Sequence, residues 1–178
     1  QRAGRFLEHV AVLPAMRQVR RVDPAQAMLA DPNDPLAILV AGVVLVTVRK
    51  EPEQGHALVK RAAALNPNSQ IIATTAAYIH WFRGSYEDAI AAHQRALSLS
   101  PGSPESVWSL SGLARAQLSA GRIEEALATG LRALEYDSPR VFSFVVVAAC
   151  YAHLERLGEA QAAVARTLAV WPTLTLAT

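Results

Sequence analysis

One cysteine, Cys150, is all the thiol chemistry the 178-residue chain holds. A single thiol makes no internal disulfide and no cysteine-rich zinc site. Charge is scarce as well. Only 18% of residues are Asp, Glu, Lys or Arg, and the formal net charge is +2. Such a balance places no electrostatic demand for a nucleic-acid or membrane-surface partner. Aromatic residues amount to 6%. Long apolar runs are missing too. The most apolar candidate, Pro35 to Val48, stands between Asp34 and Arg49 and falls short of the about 18 residues a membrane helix needs. What is abundant is apolar content, 52%, much of it alanine, which excludes intrinsic disorder. The chain starts at Gln1 without a secretory leader, and the expectation is a piece of a longer cytoplasmic protein.

The punctuation of the chain repeats. Asp31-Pro32-Asn33-Asp34-Pro35, Leu65-Asn66-Pro67-Asn68, Ser100-Pro101-Gly102-Ser103-Pro104, Asp137-Ser138-Pro139 and Val170-Trp171-Pro172 recur down the sequence. Taking Pro32, Pro67, Pro101, Ser138 and Pro172 as markers, the separations are 35, 34, 37 and 34. Between the markers a second phrase returns. Gly84-Ser85-Tyr86-Glu87-Asp88-Ala89 is matched by Gly121-Arg122-Ile123-Glu124-Glu125-Ala126 and by Arg156-Leu157-Gly158-Glu159-Ala160. Lys50 to Gly55 is a fourth copy with one residue added. Small residues at Gly42, Ala77, Ser111 and Ala148 take one place in successive units, as close helix packing requires.

Each unit reads as two antiparallel helices. First helices are expected over 35–49, 69–83, 104–120 and 139–154, second helices over 52–65, 86–99, 123–136 and 157–170. Asp34-Pro35, Ser103-Pro104 and Ser138-Pro139 put a capping residue before a proline at the first helical position. Ser85 with Asp88 has the spacing of a capping box. Acidic pairs open the second helices, where the helix dipole favours negative charge. Gly84 and Gly121 suit the left-handed residue that ends a first helix. The three extra residues of the 37-residue unit are placed between Pro104 and Gly121, lengthening that first helix by about one turn. Residues 1–31 read as a partial repeat or cap before a solenoid over 32–178. Arg17, Arg20 and Arg21 on that segment read as a solvated basic face.

A period of about 34 residues with these turns, small residues and caps resembles the tetratricopeptide (TPR) repeat. The resemblance implies an all-α, right-handed solenoid of antiparallel helix pairs, about four repeats after a partial one. A narrower likeness is carried by residues 30–37, 65–69, 95–101 and 172–176 and by the longer helix after Pro101. These look like the C-terminal TPR region of bacterial adenylate cyclase-like signalling proteins. That likeness implies a regulatory or interaction role within a larger protein and no cyclase activity in this stretch.

No catalytic arrangement is visible. His9, His56, His80, His93 and His153 offer no pair at the i, i+4 spacing of a helical metal site. No nucleophile elbow, phosphate loop or dinucleotide fingerprint is present. No catalytic residue, metal or cofactor is therefore expected, and Cys150, His80 and His93 read as packing residues.

In TPR proteins the first helices line the concave surface. That resemblance places Tyr78, Trp81, Phe82, Trp108, Arg115 and Phe142 there, with Glu105 and Gly112 on the same face in the lengthened unit. The Lys, Asn and Arg pattern used on C-terminal peptide tails is absent. The polar base-reading side chains of RNA-binding repeats are absent too. The aromatics then have two readings. They fill the inside of the superhelix, or they form a groove for a partner helix or extended peptide. A protein segment, intramolecular or from another chain, is the expected partner; nucleic acid and membrane are not. A homodimer through the solenoid ends is the alternative, because the last second helix exposes Val164 and Leu168.

Overall fold

The computed structural model describes residues 31–136 and 141–172. Among these, eight α-helices form four antiparallel pairs. The first helices are α1 (Pro35–Val44), α3 (Gln70–Phe82), α5 (Ser106–Ser119) and α7 (Val141–His153). The second helices are α2 (Pro52–Leu65), α4 (Tyr86–Leu99), α6 (Ile123–Leu134) and α8 (Leu157–Val170). The partial repeat expected before Pro32, the basic residues Arg17, Arg20 and Arg21, the Ser138 cap and the chain end after Pro172 lie outside the described residues.

Local chemistry sets the helix ends. Asp34 accepts a hydrogen bond from the Leu36 N–H at 3.0 Å, with Pro35 at the first helical position. Ser69 caps α3 by accepting from the Ile72 N–H at 3.4 Å. Both caps have extended ψ angles, 114° and 115°. Ser85 has ψ 69° and its side chain makes no cap bond, so the Ser85–Asp88 capping box does not form. An N-cap hydroxyl reaches the first-turn N–H groups only from extended backbone.

Gly84 and Gly121 end their first helices in the left-handed region, at φ 78° and 79°. In the outer units the same place is held by Lys50 (φ 63°) and Glu155 (φ 58°). A side chain there costs about 1–2 kcal/mol relative to glycine. The residue added in the first unit is absorbed by a π-helical turn, Leu45–Arg49, that continues α1. Such a bulge keeps the chain helical while taking one extra residue.

The extra residues of the third unit are not a helical turn. α5 has 14 residues against 13 in α3. The preceding connection, by contrast, runs over 100–105 where its counterpart runs over 66–69. Pro104 therefore stands in a turn and the helix begins at Ser106. Hydrogen bonds from the Ser106 N–H to the Ser103 carbonyl (2.9 Å) and from the Ser106 hydroxyl to the Ser100 carbonyl (3.0 Å) hold this loop. The shift moves the small-residue place from Ser111 to Ala114. Counted back from the left-handed residue, Ala77, Ala114 and Ala148 each stand seven earlier (84−77, 121−114, 155−148), and Gly42 eight earlier because of the π turn. At Gly42 a Cβ would lie 2.8 Å from the Gly55 carbonyl oxygen and from Val59. Only glycine permits that approach of α1 to α2.

Successive first helices touch one another, α1 on α3, α3 on α5 and α5 on α7, whereas successive second helices barely meet. First helices thus line the inner side of the curve. Hydroxyl pairs stitch them together: Thr74 Oγ1 to Ser109 Oγ at 2.7 Å, and Ser111 Oγ to Ser143 Oγ at 2.6 Å. The apolar core runs as three clusters along the stack, around Ile38–Val59–Ile79, around Ala89–Ile90–Leu113, and around Leu127–Val147–Cys150. Each unit completes its core on its neighbour, as a solenoid must.

Candidate functional site

The left-handed residues give the register of the inner face. Thirteen positions before them stand Ile71 (84−13), Trp108 (121−13) and Phe142 (155−13), with Leu36 fourteen before Lys50. Leu36, Ile71 and Trp108 are 50%, 61% and 45% exposed, and Phe142 is half-buried. Large apolar side chains of one repeat position thus stand in a row along the first helices. Glu105, expected in that row from the sequence, stands three residues before Trp108 and outside α5, because most of the insertion lies in the connection before the helix. Gly112 leaves the inner face as well. It abuts the His93 ring, and a Cβ on it would lie 2.2 Å from His93 Cε1.

Behind the row lies a cation among rings. The Arg115 guanidinium carbon is 4.1 Å from the Trp81 ring centre, 5.0 Å from that of Tyr78 and 5.4 Å from that of Phe142. Three consecutive first helices, α3, α5 and α7, meet in this contact. Tyr78 donates its hydroxyl to the Trp108 carbonyl at 2.9 Å. Trp81 donates its indole N–H to Ser119 Oγ at 2.9 Å and packs edge-to-face on Phe82 at 5.2 Å. Phe82 itself leans on the Ile38–Val59–Ile79 cluster. Of the six expected residues, Tyr78, Trp81, Arg115 and Phe142 are brought together, Trp108 is tied to them through Tyr78, and Phe82 stands one layer back.

His93 on α4 closes the site from below. It is 0% exposed, its ring meets Tyr78 edge-on at 5.1 Å, and neither nitrogen has a hydrogen-bond partner. Burial, with a smaller contribution from Arg115, pushes its pKa down to about 3. The imidazole is therefore neutral and apolar in effect. His80 is half-buried against His56, ring centres 5.4 Å apart, and burial lowers the pKa of both. Cys150 is buried, which pushes its thiol up to about 11. Among the described residues no group of three His, Cys, Asp or Glu is placed to hold a metal. No helix among them is long and apolar enough to cross a membrane.

Residues 69–138 match the family model of the tetratricopeptide repeat. No curated protein matches the chain in sequence. Several solved structures share its fold. PilW, a type IV pilus biogenesis factor, superposes with a TM-score of 0.77 at 19% identity, over 85% of this chain and 69% of its own. MamA from Desulfovibrio magneticus RS-1 gives 0.71 at 13% identity, over 98% and 97% of the two chains. PilF of Pseudomonas aeruginosa gives 0.69 at 16% identity, over 91% and 70%. At these identities the likeness speaks for the fold. Residues 69–138 are tetratricopeptide-repeat sequence, and the described helices on either side of them continue the same solenoid of helix pairs.

Proposed function

We propose that the chain is a non-catalytic interaction module that holds a protein segment against the inner face of its first helices. The observation that supports this is the row Leu36, Ile71, Trp108 and Phe142, apolar side chains standing at one repeat position. Leu36, Ile71 and Trp108 leave about half of their area to solvent, and an exposed apolar row suits a helix or an extended peptide. Trp108 is the best probe, since Trp81 is committed to packing and to Ser119. Trp108→Ala is expected to weaken capture of a bound segment at least several-fold while circular dichroism keeps its helical signal. Unchanged capture would sink the assignment.

The setting we infer is the cytoplasmic repeat region of a larger bacterial signalling protein, similar to adenylate cyclase-like proteins. Its support is the set of phrases at residues 30–37, 65–69 and 95–101. Self-association through the solenoid end is a second reading. Val164 takes the repeat position that is buried as Val59 and His93 in earlier units, yet Val164 is 47% exposed. Light scattering separates the two readings, because a monomer at high concentration leaves only the groove.

A further inference from the structure

The first helices are almost without charge. Across α1, α3, α5 and α7 no Asp, Glu or Lys occurs, and Arg115 is the sole arginine. Acidic side chains of the described helices stand instead at the starts of second helices, such as Glu87, Asp88, Glu124 and Glu125. Arg115 accordingly makes no ion pair or hydrogen bond among the described residues, and its Nε is buried without a partner. The three rings around it attract the cation through their faces. Trp81 and Phe142 have no oxygen, the Tyr78 hydroxyl is turned to the Trp108 carbonyl, and none of the five N–H donors of Arg115 makes a hydrogen bond among the described residues. Among the described residues this half-buried guanidinium meets three ring faces and no anion. Charges out of water are ordinarily paired and hydrogen-bonded.

We propose that Arg115 recognises a side-chain carboxylate on the bound segment, so that the partner is a peptide with an acidic residue set between apolar ones. This rests on the groove reading above and names the chemistry of its occupant. Charge complementarity supplies the argument. A carboxylate accepts two parallel N–H bonds from a guanidinium, and aromatic walls exclude the water that would compete. Apolar neighbours in the peptide would lie along the exposed row to which Leu36 and Ile71 belong. A fork already seated among three rings loses less freedom on binding than a free side chain. Lysine would not serve equally, having a point charge rather than a planar fork.

The test uses the full chain and two labelled pools of blocked nonapeptides. Eight positions carry Leu, Phe, Val or Ala, and the centre is Glu in one pool and Gln in the other. Binding is read by fluorescence anisotropy. The glutamate pool is expected to bind roughly tenfold tighter, the usual worth of a charge-assisted bond. Arg115→Gln should erase that preference, and Arg115→Lys should restore part of it. Circular dichroism reports whether each variant is folded. The comparison of the two pools on the unaltered protein stands whatever the variants do. Equal binding of both pools overturns the carboxylate inference and leaves the groove. Binding of neither removes the groove reading and the inference with it. A glutamate preference that survives in folded Arg115→Gln overturns the assignment to Arg115. Self-association in sedimentation that Trp108→Ala abolishes, with no peptide binding, gives the face to a second copy and also overturns it.

Discussion

The two layers of the solenoid follow opposite rules. First helices are apolar nearly all round, touch one another, and contain one charge. Second helices are amphipathic and open with acids; arginines join neighbouring units there, Arg83 to Glu53 at 3.3 Å and Arg122 to Glu87 at 3.2 Å, while Arg156 pairs with Glu159 inside the first turn of α8. Arg61 and Arg95, one repeat apart, each tie a second helix to the proline carbonyl that opens its unit, Pro32 at 2.9 Å and Pro67 at 3.0 Å. The outer layer therefore carries the polar surface, and the inner layer is left free to specialise. That division explains why a chain with so few charges still folds as a regular stack.

Acid is the strongest way to break the contrast. His93 belongs to an outer helix but points into the inner site, where its pKa falls from 6.5 to about 3. A depressed histidine pKa means that the unfolded chain takes up the proton first. Stability is thus intact above about pH 6.5 and is lost as the pH falls from there toward the folded value. Over pH 7 to pH 4 the loss is of order 2–3 kcal/mol for this one group. His93→Leu, filling the place that Val59 takes in the first unit, is expected to flatten the denaturation-midpoint profile by about one proton. His56 and His80 titrate in the same direction and remain in the variant. An unaltered slope would show that His93 can reach water while folded.

Next in size is a pair of glycines. A Cβ on Gly55 would lie 2.6 Å from the Gly42 carbonyl oxygen and 2.5 Å from Val46, so α1 and α2 would have to separate. Gly55→Ala is expected to cost about 1–3 kcal/mol in urea denaturation, the usual range for overpacking. Gly158, in the first turn of α8, has nothing within 4 Å of its added Cβ and no positive φ. Gly158→Ala should stabilise by about 0.5–1 kcal/mol. The same substitution with opposite signs would confirm that the layers are close only where first helix meets second. Equal effects would erase that distinction.

Much of this architecture was legible in the sequence, because the markers of a repeat are backbone chemistry. Gly84 and Gly121 sit at φ values that favour glycine, and proline markers stop helices by removing an N–H. Length was the ambiguous signal. Three extra residues between Pro101 and Gly121 say nothing about whether they extend a helix or a loop. The choice was made by Ser106, whose hydroxyl finds the Ser100 carbonyl and fixes a turn. With it went the register of Trp108 and Arg115, and with the register went the row of exposed side chains. Tyr78, Trp81, Arg115 and Phe142 were all identified from their helix positions. Their meeting around one cation was not, since spacing within a helix carries no information about contacts three helices apart. The turn residues were the available signal. Counting back thirteen from each of them, rather than forward from proline, aligns Ile71, Trp108 and Phe142.

The smallest expected effect lies in the outer layer. Arg122 bridges Glu87 and Glu125, the second at 2.7 Å, but all three side chains are well hydrated. Exposed pairs gain little over water and hold long side chains still. Arg122→Ala should therefore leave the thermal midpoint close to that of the parent at neutral pH. Any remaining difference should vanish in about 1 M salt, where screening is nearly complete. The measurement has to be made near pH 7. Arg122 lowers the pKa of Glu125 by hydrogen bonding, so whatever the pair contributes is present above the usual carboxylate pKa and lost as the pH falls through the folded value. His93 loses its contribution in the same direction, and acid would hide one layer behind the other. At neutral pH the histidine is silent and only the ion pair is tested. A large drop in midpoint there would mean that the charged layer holds the stack together, and the separation of stability inside from solubility outside would have to be abandoned.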